Sequence, residues 1–178
     1  MSKTSVFGIV KSYSQAERVV ENLQSAGFAS SEISVLLPDN QGKHDFGHVK
    51  ATKAPEGATT GAATGGVAGG VIGLLAGIGA LAIPGVGPFI AAGPIMAALS
   101  GAAVGATTGG LVGGLIGLGI PEIEAKRYED KLKTGNYLIA VHATNNDEER
   151  RAKEIFKNAG AEDISTSSMS KAPAAANA

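Results

Sequence analysis

The residues best suited to chemistry near neutral pH are the three histidines. His44 and His48 stand four apart in KHDFGHVK, with Asp45 between them. On a helix that spacing would put two imidazoles on one face, the beginning of a metal site. Gly42 and Gly47 argue for a loop instead, so both are read as solvated linker side chains and no metal is assigned. His142 falls in NYLIAVHA and reads as an ordinary strand histidine. No serine and acid accompany it in a motif that would define a nucleophilic triad. Gly77-Ile78-Gly79-Ala80-Leu81-Ala82 imitates a dinucleotide fingerprint, yet it sits inside an apolar run and lacks the downstream acid. Gly42-Lys43 does not make a phosphate-binding loop. Cysteine is absent, which removes thiol nucleophiles, thiolate metal sites and disulfides. No catalytic residue, cofactor or metal is expected, and the chain reads as a non-enzyme.

The bulk composition narrows the partners. A net charge of −1 over 178 residues supplies no basic field for nucleic acid. Aromatic residues at 4%, with no tryptophan, are too few for a base-stacking platform. Glycine departs from the norm: 26 residues, 20 of them between Gly57 and Gly119. The N-terminal stretch MSKTSVFGIVKSYSQAERVV has no apolar core of signal-peptide length, so any contact with a membrane is expected through the middle of the chain.

Two outer segments carry the pattern of a small α+β domain. Ser5 to Val10 reads as a strand, and a helix follows from Ser14 as N-cap to Ala26, stopped by Gly27. Ala16, Val19, Val20 and Leu23 fall on its apolar side, and Ile33 to Leu37 makes a second strand ended by Pro38-Asp39-Asn40. A polar loop then runs over 38–56. On the far side, Pro121 opens a charged helix over 121–135, Asn136 to Ala143 is the clearest strand, and Asp147 to Asn158 is amphipathic. Its buried side is assigned to Ala152, Ile155, Phe156 and Ala159. Glu162 to Ser167 gives a last strand, and 168–178 reads as a disordered tail. With 38–135 set aside, the order is β-α-β followed by β-α-β. That predicts a ferredoxin-like βαββαβ domain from 4–37 and 136–167, a four-stranded antiparallel sheet with two helices on one face.

The segment 57–120 is made of different material. From Gly57 to Pro121, 65 consecutive residues carry no charge. Two apolar spans, about 61–83 and 95–120, each exceed the roughly 20 residues that cross a bilayer. Pro84-Gly85-Val86-Gly87-Pro88 breaks them, with a second break at Gly93-Pro94, so a helical hairpin with both ends on one side is expected. Glycine recurs every fourth residue at Gly57, Gly61, Gly65, Gly69, Gly73 and Gly77, and again at Gly101, Gly105, Gly109, Gly113 and Gly117. Residues 61–74 match 105–118 at 10 of 14 positions, an internal duplication. Small residues at that spacing let helices approach closely, which is how helices associate in lipid. In water each interior glycine would cost about 1 kcal/mol of helix stability. In hydrocarbon, unsatisfied backbone enforces the helix regardless. A repeat of four also drifts about 40° per step around a 3.6-residue helix, so either the helices wind right-handedly around each other or the stripe faces more than one neighbour, and self-association is expected. These eleven glycines are the expected helix-packing and oligomerisation residues.

SVFGIV, SQAERVVENLQSAGF, the glycine-zipper hairpin and GIPEIEAKRYEDKLKTGNYLIAV together resemble the bacterial general stress proteins, a family of small glycine-zipper membrane proteins also described as low-temperature-induced. The resemblance runs over about 4–167, and its most specific element is Gly119-Ile120-Pro121-Glu122 with Ala125, Tyr128, Glu129, Leu132, Lys133 and Gly135. It implies stress-related expression and membrane association, with no established enzyme activity and no catalytic residues to carry over. Lys50, Lys53, Lys126 and Arg127 flank the spans while 84–94 is uncharged, so the folded domain and both termini are expected on the cytoplasmic side of the inner membrane. The expected partners are the bilayer and further copies of the chain. Two other readings stay open: a ligand sensor that uses the sheet's open face or edge, and a soluble cage or filament built through the zipper.

Overall fold

The computed structural model describes residues 4–38, 79–83, 87–96, 99 and 110–168. Strand β1 (Thr4–Val10) leads to helix α1 (Tyr13–Ser25), a short 3-10 turn (Ser30–Glu32) and strand β2 (Ile33–Pro38). Two strands follow in the glycine-rich segment, β3 (Gly79–Ile83) and β4 (Gly87–Ala92). Helices α2 (Gly110–Gly117) and α3 (Glu122–Lys133) come next, then β5 (Tyr137–Ala143), α4 (Asn146–Asn158) and β6 (Glu162–Ser168). All six strands form one sheet in the order β3-β4-β2-β5-β1-β6, every neighbouring pair antiparallel.

Local chemistry explains most of these elements. The cap of α1 is Ser12 rather than Ser14: the Ser12 hydroxyl accepts from the Gln15 amide at 3.2 Å. Ser12 has extended backbone geometry, which is what an N-cap requires, whereas Ser14 already lies within the first turn. Asn145 caps α4 by accepting from Glu148 N at 2.9 Å, and the Glu148 carboxylate reaches back to Thr144 N. Pro121 stands at the N-cap of α3, with Glu122 and Glu124 in the first turn and Lys131 and Lys133 in the last, matching the helix dipole at both ends.

The largest departure from the sequence reading concerns the apolar hairpin. The expected helical span 61–83 does not stay helical to its end, and the other, 95–120, is described only at 95, 96, 99 and 110–120. Residues 79–83 and 87–92 are strands, and β4 extends the sheet by pairing with β2, Val35 opposite Ala92 through to Pro38 opposite Phe89. Gly79 to Ile83 then pairs with Ala91 to Gly87. The Pro84–Pro88 break does reverse the chain, but between strands. Hydropathy cannot separate the two outcomes, because a short apolar run suits a buried strand as well as a helix. The unpaired edge of β2 decides it, offering backbone partners the extended chain can use. Further on, Ile95, Met96 and Leu99 are helical, and the helix α2 ends at a turn where Gly119 takes φ +86°. No helix among the described residues is long and apolar enough to cross a membrane.

The second departure is a helix layer where an open face was expected. Helices α1 and α4 cover one face: Ala16, Val19, Val20, Leu23, Ala152 and Phe156 pack with Val6, Val10, Val35, Ile139 and Val141. Gly8 allows this approach, since a β-carbon there would lie 2.5 Å from the Phe156 ring. The opposite face carries Phe7, Ile9, Leu36, Leu138 and Ala140. It is closed by Leu111, Leu115, Leu118 and Ile120 of the α2 segment and by Ala125, Tyr128 and Leu132 of α3. The charged helix is therefore docked on its own domain. Among the described residues the sheet has six strands, and β1, β5 and β2 are covered on both sides, in place of four strands with one side bare.

Candidate functional site

The sheet gathers hydroxyls and one imidazole into a single polar rung. Ser5 lies opposite His142 on β5 and opposite Ser167 on β6. The Ser5 hydroxyl and His142 Nδ1 are 3.0 Å apart, and the Ser167 hydroxyl donates to the Leu118 carbonyl at 2.8 Å. A β-carbon at Gly119 would lie 2.5 Å from the Ser167 hydroxyl, so glycine there lets the α2–α3 turn settle on β6. The Ser5–His142 contact has the composition of a nucleophile and a base. Ser5 is fully buried, however, and its oxygen has no route to a substrate. The rung joins strands and anchors a turn.

A second polar group fastens α3 to the edge strand. The Tyr128 hydroxyl lies 2.6 Å from both the Asp163 carbonyl, to which it donates, and the Ser165 hydroxyl. Burial is the main reason its acidity is weakened, its pKa being pushed up to about 12. Lys131 bridges Glu162 and Asp163, Arg127 meets Asp163 at 3.2 Å, and Lys11 meets Glu162 from the end of β1. Hydrogen bonds from Lys11 and Lys131 hold the Glu162 carboxyl down to about 2, and Glu162 in turn raises Lys131. Asp163 sits at φ +49° where the β1–β6 register shifts between Phe7 and Ile9, a bulge on the outermost strand. Sequence reasoning missed this group. Its bonded partners are from 31 residues apart (Lys131 and Glu162) to 151 (Lys11 and Glu162), and only Tyr128, a lone tyrosine on the apolar side of a charged helix, left a trace.

A third feature is apolar and faces outward. Helix α2 buries Leu111, Gly114 and Leu115 against the sheet. Its other side presents Gly113, Ile116 and Gly117, and a β-carbon on either glycine would find nothing within 4 Å. Ile116 is 43% exposed, and Ile123 at the start of α3 is 76% exposed. Of the eleven glycines expected to pack helices, Gly113 and Gly117 are thus placed on one open helix surface. Gly57, Gly61, Gly65, Gly69, Gly73, Gly77, Gly101, Gly105 and Gly109 lie outside the described residues, as do His44 and His48. Among the described residues no group of three metal-ligating side chains comes together.

Residues 5–83, from β1 to the end of β3, match the family model of the heat-induced stress protein YflT domain. The matched stretch is less than half of the chain, and the model it matches is that of a stress-protein domain. No curated protein and no solved structure matches the chain.

Proposed function

We propose that this chain is a non-enzymatic stress protein that self-associates through its glycine-bearing helices and attaches its folded domain to the cytoplasmic face of the inner membrane. The observation that carries the reading is the outer surface of α2. A helix that ends a folded domain ordinarily turns charged and polar residues to water. This one offers Gly113, Ile116 and Gly117, in a stretch with no charge from Gly57 to Pro121. Two outward glycines cost about 1 kcal/mol each as helix residues in water. A contact with another helix uses the missing side chains. The β-α-β, β-α-β connectivity, with β6-β1-β5-β2 as four consecutive strands of the sheet, supports a ferredoxin-like domain to which β3 and β4 have been added at the β2 side. A sensor working through an open sheet face is disfavoured, since α2 and α3 occupy the second face.

The open space at Gly113 and Gly117 makes the test unusually clean. A β-carbon at either position meets nothing within 4 Å, and leucine improves helix propensity by about 1 kcal/mol over glycine. Gly113→Leu and Gly117→Leu are therefore expected to keep or raise thermal stability while lowering the oligomer fraction in chemical cross-linking and light scattering. Unchanged assembly in both variants removes the glycine-packing reading.

A further inference from the structure

The two halves of the sheet domain are built alike. Strand β5 repeats β1 at an offset of 133 residues, Thr4 to Tyr137 and Val10 to Ala143, and α4 repeats α1 at the same offset, Tyr13 to Asn146 and Ser25 to Asn158. The caps coincide as well. Ser12 and Asn145 accept from the Gln15 and Glu148 amides, while the Gln15 and Glu148 side chains accept from the Lys11 and Thr144 amides. Both helices are followed by Ala-Gly, with Gly27 at φ +96° and Gly160 at φ +75°. The pairing register obeys the exchange too: Phe7 lies opposite its own counterpart Ala140, and Ser34 stands opposite Ala140 as Ser165 stands opposite Phe7. On this map the polar rung Ser167–Ser5–His142 is the counterpart of Leu36–Leu138–Ile9, which is apolar and fully buried.

The fold therefore takes leucine and isoleucine where this rung has serine and histidine, and the polar residues answer another need. Buried hydroxyls and ring nitrogens cost free energy unless they are bonded. Here the rung runs from half-buried His142 to the second helix layer: Ser5 meets His142 Nδ1 at 3.0 Å, and Ser167 holds the Leu118 carbonyl at 2.8 Å with Gly119 close against it. We infer that the rung is a proton-operated latch, in which protonation of His142 weakens the seat of the α2–α3 turn on β6 and loosens α2 while the rest of the domain stays folded. Histidine ordinarily changes charge between pH 5 and 8, and His142 is the one histidine among the described residues. A charged ring beside a buried hydroxyl is poorly solvated, and lifting the turn admits water to it. Few titratable groups face the ring. Strand β1 brings Ser5, and β6 brings Ser167. Strand β2 is entered through Glu32, next in register after the Ile33–Val141 pair, and its carboxylate accepts from the Ala29 amide at 2.8 Å. The stretch from Gly57 to Pro121, which contains α2, has no charged residue, histidine or tyrosine. Helix α3 turns Tyr128 inward, with Glu124, Arg127 and Lys131 beside it. Lys3 and Lys171 lie outside the described residues. The latch concerns how α2 is held, whatever its outer surface meets.

Hydrogen exchange of the full chain, read by mass spectrometry and corrected for intrinsic exchange rates, tests the latch between about pH 8 and about pH 5. A histidine kept neutral by docking contributes stability that is complete above its released-state pKa and declines as pH falls below it. Taking up one proton on release changes the docking equilibrium by at most about tenfold per pH unit. Peptides from 110–120 are therefore expected to lose about tenfold in protection over that range, while peptides from α1 and α4 hold theirs. Two variants remove the titrating ring and keep the Ser167 bond. His142→Gln can still meet the Ser5 hydroxyl, and Ser5→Leu/His142→Ile copies Leu138 and Ile9 from the other half. In both, protection of 110–120 is expected to stay level with pH, and His142→Gln decides alone should the double variant misfold. Glu32→Gln is expected to retain the pH-dependent loss of the parent. The inference is overturned if protection over 110–120 in the parent does not change relative to α1 and α4. It is equally overturned if the loss persists in His142→Gln, or disappears in Glu32→Gln with His142 in place, since a carboxylate would then be the group that titrates.

Discussion

Glu162 and Tyr128 show how much of the second helix layer rests on single side chains. Glu162 titrates near 2 in the folded chain against an ordinary value of 4.5, because Lys11 and Lys131 hydrogen-bond its charged form. A carboxyl lowered on folding contributes stability that is complete above its unfolded pKa and is lost as pH falls through the folded one. The difference in melting temperature between the parent and Glu162→Gln is therefore expected to be constant above about pH 5. It should shrink steadily as pH falls from 4.5 towards 2. A pH-independent difference would mean that the ion pairs do not form. Tyr128 works in the opposite pH range. Its pKa is raised from 10 to about 12, so its contribution is intact below pH 10 and fades between the two values. Its acceptor is the backbone carbonyl of Asp163, held at φ +49°, while the Asp163 carboxylate at the same bulge pairs with Arg127 and Lys131.

At the scale of elements, α3 is part of the folded core. Ala125, Tyr128 and Leu132 are buried on the same cluster as Phe7, Ile9, Leu138 and Ala140. Cutting out 39–135 and closing the gap with a short linker, which the bare β-α-β, β-α-β pattern invites, would strip that face. Burial of apolar surface is worth about 25 cal/mol per Å², and the uncovered side chains would seek other partners. Such a variant is expected to bind the dye ANS strongly and to aggregate, whereas one that keeps 110–168 contiguous should not. A linker variant that stays monomeric and dye-silent would show that the second layer is dispensable. The amphipathic pattern of α3 was plain in the sequence, since Ala125, Tyr128 and Leu132 share one side. Which face of the sheet receives it was not, because periodicity says that a side is buried and not what buries it.

For the molecule as a whole, the question is what surrounds the uncharged stretch. The proposed reading predicts that the full chain stays with membranes through an alkaline carbonate wash and is released by detergent. Recovery in the soluble fraction as a large uniform particle would favour a cage or filament built through the same residues. A bilayer-facing chain of this kind needs its glycine helices and its folded domain on one polypeptide with a return path. The antiparallel β3–β4 pair supplies a reversal inside the stretch, at the place where two prolines and two glycines stand within five residues.

Composition and periodicity alone determined the outer α+β elements, their caps to within two residues, and the uncharged glycine repeat. Each is set by local forces: side-chain spacing, proline and glycine geometry, and the cost of burying charge. Continuous apolar runs at Val6–Val10 and Leu138–Val141 also hinted that both sheet faces are covered, since a half-exposed strand alternates. Tertiary structure decided the rest. Whether Gly79–Ile83 and Gly87–Ala92 became helix or strand depended on the free edge of β2, more than forty residues away from β3. The meeting of Lys11, Arg127, Lys131, Glu162 and Asp163 likewise depended on which strand ended beside which helix. Contacts of that kind arise when the sheet closes, and no local pattern carries them.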